Sequence, residues 1–118
     1  MARAEATPIK LGVRNKISEE ITYVAIDATD GLEFVMDERD EKYVVLIQNT
    51  DSSNDETVTI KKGNGIQGVA DYTATIGKGE TVAISLDSGA YKNVSGTDKG
   101  KVVITGTADV KVAVVVLP

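Results

Sequence analysis

Eight short runs rich in Val, Ile and Thr, most of them separated by clusters of Gly, Asp, Asn and Ser, fill this chain from Ile21 onward. That rhythm confines it to an all-β fold. β-Branched side chains have a restricted χ1 and pack well on a pleated surface, whereas Gly, Asn and Asp tolerate the dihedrals of tight turns. No stretch of helical period competes. Strands are predicted at 22–27, 32–36, 43–49, 56–61, 72–76, 81–86, 101–105 and 110–117. Thr57, Thr59 and Lys61 alternate with Val58 and Ile60, and Thr73 and Thr75 with Ala74 and Ile76, as in strands with one wet face. Val44-Val45-Leu46-Ile47 and the run from Val112 to Leu117 are apolar on both faces, so both strands should be central or covered on two sides. Burial within the chain is the simpler cover for the last strand, and burial by a second subunit is the other.

A chain of 118 residues has room for one domain, since roughly 100 to 150 residues can enclose a single core. It contains no Trp and a single Phe, Phe34, so the core should be aliphatic. The expected architecture is an antiparallel β-sandwich, immunoglobulin-like or jelly-roll-like, over residues 21–118. Residues 1–20 lack any sustained period and read as an extended N-terminal arm.

Charge separates the same two parts. Residues 1–16 carry Arg3, Lys10, Arg14 and Lys16 against Glu5 alone, a net +3 in a chain whose total is −5, which leaves −8 for residues 17–118. An acidic body is a poor nucleic-acid surface, because duplex affinity rests on clustered Lys and Arg. A basic arm suits an acidic partner. The expected partner-binding residues are therefore Arg3, Pro8, Ile9, Lys10, Leu11, Arg14 and Lys16, with residues 6–11 as the anchor, since Ile9 and Leu11 offer apolar contacts and Pro8 limits the backbone freedom lost on binding.

Histidine and cysteine are both absent. The commonest general base near neutral pH, the commonest metal ligands, disulfides and every Ser-His-Asp or Cys-His arrangement are therefore unavailable. Gly63-Asn64-Gly65-Ile66-Gln67-Gly68 matches G-x-G-x-x-G, but a dinucleotide site needs a helix next, and Val69 to Ile76 reads as loop and strand. The acidic run Asp37-Glu38-Arg39-Asp40-Glu41, and Asp27 with Asp30, lack the spaced ligand pattern of a helix-loop-helix calcium site and read as solvated loops. We expect no catalytic residue, no cofactor and no metal site. Asn93-Val94-Ser95 fits the glycosylation sequon, but no apolar leader opens the chain, so the asparagine is expected to stay unmodified. The longest apolar stretch, 110–117, is far below the roughly 20 residues needed to span a bilayer.

Several words then point to a family. Val45-Leu46-Ile47-Gln48-Asn49-Thr50, Thr57-Val58-Thr59-Ile60-Lys61, the Gly63 to Gly68 segment, Tyr91-Lys92-Asn93-Val94-Ser95-Gly96, and the closing Gly100 to Gly106 and Val116-Leu117-Pro118 resemble small virion proteins of tailed bacteriophages. The likeness extends over residues 43–118. It implies a non-enzymatic decoration or cementing protein, made in the host cytoplasm, that binds outside the capsid, with the major capsid protein lattice as partner and self-association into a homo-oligomer as a further expectation. N-terminal segments in such families lie on the capsid lattice, which suits the arm. The alternative is a tail-associated or host-surface-binding immunoglobulin-like module.

Overall fold

The computed structural model describes residues 3–118. Among them ten strands form two sheets packed face to face: β1 (Ala4–Glu5), β2 (Ile9–Lys10), β3 (Val24–Ala25), β4 (Leu32–Val35), β5 (Tyr43–Asn49), β6 (Glu56–Ile60), β7 (Tyr72–Ile76), β8 (Thr81–Ile84), β9 (Lys101–Thr105) and β10 (Val110–Val116). The first sheet has the order β1-β4-β9-β6-β7 and the second β2-β10-β5-β8, with β3 also paired to β10. A 3₁₀ turn (Asp40–Lys42) and a single helical turn, α1 (Ser88–Tyr91), lie in loops. No helix among the described residues is long and apolar enough to cross a membrane.

Period-two alternation builds the core. Leu32 and Phe34, Val58 and Ile60, and Val102 and Ile104 point inward from the first sheet. Tyr43, Val45 and Ile47 meet them from β5, with Val110, Val112, Val114 and Val116 from β10. One polar side chain is buried with them, Asn49. Its amide Nδ2 donates to the carbonyls of Asn54 and Ile76 at 3.1 Å, and its Oδ1 accepts from the Asp51 N–H at 2.9 Å, so the desolvation cost of an unpaired amide does not arise.

β10 is buried on both faces, because Ala113 and Val115 on its outer side are almost as covered as the core side chains. Its edges are paired with β5 on one side and with β2 and β3 on the other, and the cover over its outer face comes from this same chain, so burial is intramolecular. β5 differs. Its inner face is buried, while Val44, Leu46 and Gln48 are half-buried on the outer face.

Three expectations are corrected. The sheets are mixed rather than antiparallel, because β1 pairs in parallel with β4 and β2 in parallel with β10. The N-terminal residues, moreover, do not form an arm throughout: 4–10 cross from one sheet to the other, and Ala6 between the two pairings is 4% exposed, inside the core. Segments this short carry no period for a sequence to show. The strand predicted at 22–27 also shrinks to Val24–Ala25, because Asp27 Oδ1 accepts from the N–H groups of Thr29 and Asp30 and closes a turn. That turn ends at Gly31, with φ +88°, where a Cβ would lie 2.8 Å from the Ile104 carbonyl oxygen. Only glycine fits both demands.

Candidate functional site

The residues expected to bind a partner fall into two sets. Arg3 through Leu11 are fastened to the sandwich. The guanidinium of Arg3 donates to both carboxylate oxygens of Asp98, at 2.8 and 3.2 Å, and to Glu33 Oε1 at 3.2 Å. Lys101 Nζ holds the other Glu33 oxygen at 2.7 Å, so this 9%-exposed carboxylate sits between two cations on the outer face of the first sheet. The hydrogen bonds to Asp98 raise the Arg3 pKa, and Arg3 in turn lowers that of Asp98. Pro8 and Ile9 are half-buried, Lys10 Nζ contacts Glu38 Oε2 at 2.9 Å, and the Leu11 N–H donates to the Val116 carbonyl at 3.0 Å. The Lys10 hydrogen bond raises the lysine pKa and lowers that of Glu38.

Arg14 and Lys16 are placed otherwise. Both are exposed, and neither forms a salt bridge among the described residues. They lie in the loop 12–22, between β2 and β3, beside Val13, Ile17 and Ile21, all exposed, with Ile17 at 94%. The structure therefore keeps Arg14 and Lys16 together in a loop that faces outward, and separates them from Arg3, Pro8, Ile9, Lys10 and Leu11.

The acidic loops singled out in the sequence serve local structure. Asp37 Oδ1 accepts from the Tyr43 hydroxyl at 3.0 Å, Asp40 Oδ2 accepts from the N–H and the hydroxyl of Ser88, and Glu38 is shared by Lys10 and Lys42. A different cluster was invisible in the sequence. Oxygens of Asp51, Glu56 and Asp109 lie within 4.8 Å of one another. Asp51 also accepts from the N–H groups of Ser53 and Asn54, and Glu56 from the Thr107 hydroxyl at 3.0 Å. The Ser53 N–H bond is the main cause of the lowered Asp51 pKa. Hard oxygens suit a divalent cation, but three are few against the 6 to 8 that calcium takes. No sequence signal would have found this trio, because the fold alone brings Asp109 back to Asp51.

The glycine-rich segment has a packing cause. A Cβ on Gly63 would lie 2.3 Å from the Lys92 carbonyl oxygen, and one on Gly68 would lie 2.0 Å from that of Gly63. Strand β7 follows it, not a helix, so no helix N-terminus is present to face a phosphate. In the sequon, Asn93 Nδ2 is already used, donating to the Lys101 carbonyl at 3.1 Å.

No family model, curated protein or solved structure matches the chain, so the likeness to phage virion proteins stands on the sequence words alone.

Proposed function

We propose that this chain is a non-enzymatic structural protein of a tailed-phage virion, a decoration protein that binds the outside of the capsid and reinforces it. The observation that carries this reading is the loop 12–22, where exposed Val13 and Ile17 flank Arg14 and Lys16 on a stem fixed to β10 at both ends. Exposed aliphatics among charged groups suit an interface, in which the apolar groups supply the buried centre and the charges the rim. Arg14 and Lys16 favour carboxylates on the partner, while Glu19 and Glu20, exposed later in the same loop, bring its net charge to zero. The sandwich serves as a rigid carrier, and many copies on a symmetric shell gain avidity from modest single contacts.

Mixing purified protein with capsids that lack it, followed by pelleting, tests the reading. The full chain should co-sediment, less so at high salt, and Ile17→Asp combined with Arg14→Glu and Lys16→Glu should stay in the supernatant. Equal pelleting of both proteins sinks the assignment of this loop. Electron microscopy that finds copies at the tail instead of over the head favours the tail-associated alternative.

A further inference from the structure

The two sheets end on the same side in β7 and β8, which the 77–80 turn connects. Between them the layers do not close. An apolar cleft of about 270 Å³ opens there, lined by Ile47, Val58, Ile60, Tyr72, Ile76 and Val82. Tyr72 and Val82 are 45% and 38% exposed within it. Neither β7 (Tyr-Thr-Ala-Thr-Ile) nor β8 (Thr-Val-Ala-Ile) contains a charge or a proline, the usual devices that keep an edge strand from pairing with another chain.

The loop 61–71, which leaves the cleft after Ile60 and returns to it at Tyr72, holds two apolar side chains in solvent: Ile66 is fully exposed and Val69 is 78% exposed. Backbone contacts fix this loop. The Gly68 N–H donates to the Gly65 carbonyl at 3.0 Å, Asn64 bridges to the Val94 N–H and the Ser95 carbonyl, and Gly63 and Gly68 approach their neighbours too closely for a side chain. A side chain presented by a fixed turn loses little freedom when a partner covers it. Lys61 and Lys62 stand at the base of this loop with Asp71, which Lys61 Nζ contacts at 3.0 Å, a net +1, whereas Asp55, Glu56 and Glu80 surround the 77–80 turn with Lys78 at the other end of the cleft, a net −2.

We propose that the partner closing this cleft is a second copy of the chain, in a two-fold dimer joined along the β7–β8 side, with each copy's Ile66 and Val69 seated against the other's cleft. A two-fold axis across that side runs the strands of the two copies in opposite directions and makes the contact closed and self-complementary. The lysine-bearing loop of each copy then meets the carboxylates at the far end of the other. Charge favours this face over others: two molecules of net charge −5 repel in general, but here opposite signs meet around an uncharged centre. The inference is independent of capsid binding.

Sedimentation equilibrium of the full chain over a concentration series tests it, with thermal melting of each variant as the control for folding. The natural chain should show a monomer–dimer equilibrium that weakens with salt. Ile66→Asp, at a site free of native packing, should melt unchanged and dimerise about thirtyfold more weakly or worse, and Val82→Lys on the cleft side should do the same. Lys62→Glu should weaken the dimer about tenfold, and Glu80→Lys in the same chain should restore it. A natural chain that stays monomeric throughout, or a dimer that Ile66→Asp leaves intact, overturns the proposal, and failure of the charge exchange to rescue overturns the two-fold arrangement.

Discussion

Along one side of the sandwich the N-terminal segment runs from sheet to sheet, pairing β1 with β4 and β2 with β10. Along the other, β7 and β8 end their sheets with no further strand, and an apolar cleft lies between them. The covered side spends four strand residues, the Arg3–Asp98 and Lys10–Glu38 ion pairs and the buried Ala6 on its closure. The open side has no charged residue in either edge strand. A sandwich must satisfy or protect four edges, and an edge left both unpaired and uncharged is a template for another chain. This molecule closes one edge with β1 and another with β2 and β3 together, and leaves two available.

The common reference for both sides is β10, and the largest effect is expected there. Val114→Asp places an unpaired charge at a fully buried position and should cost about 4 kcal/mol or more, enough to abolish cooperative melting, whereas the partly exposed Thr59→Asp should cost about 1 kcal/mol or less. Comparable melting of the two variants contradicts the burial of β10.

Removing the strap tests the covered side directly. Deletion of residues 1–11 bares the edge of β4 and the Val115–Val116 end of β10, while β3 stays paired to the rest; it removes Ala6 from the core and should lower stability by about 2 to 4 kcal/mol. Light scattering should rise on heating as the freed edges find other chains. An unchanged melting temperature means that these residues rest on the edges without closing them.

A smaller effect is expected from the ion pair that pins the start of the strap. The Asp98 carboxyl is held below its ordinary range, chiefly by the hydrogen bond from Arg3. A depressed carboxylate contributes stability that is present above the unfolded-state value and is lost as pH falls through the folded one. Arg3→Gln should therefore cost about 1 kcal/mol or less at neutral pH and flatten the decline of stability below about pH 4. Parallel pH–stability curves for the two proteins rule out this coupling.

The smallest change belongs on the open side. Thr75→Lys on β7, at an exposed position, should alter stability by no more than about 0.5 kcal/mol, yet it supplies the charge that the edge lacks. It should reduce concentration-dependent association at an unchanged melting temperature, and if association is unaffected, β7 takes no part in it.

Fold class and the middle of the molecule were legible in the amino-acid order. Strands 43–49, 72–76 and 101–105 lie where runs of β-favouring residues bounded by turn residues put them, because β-propensity and turn chemistry are local properties. The charge contrast near the N-terminus was equally legible, since charge needs no geometry to count. Pairing, in contrast, was settled by packing. Residues 4–5 and 9–10 became strands because β4 and β10 offered unfilled edges, and Ala6 became core because both sheets meet over it. Asp51, Glu56 and Asp109 converge, and the loop that carries Ile66 is held against residues 90–95, through contacts between segments far apart in sequence. A two-residue strand or a three-carboxylate cluster carries no periodic signal of its own, so its place is set by the energy of filling edges and covering apolar faces that exist only once the sheets have formed.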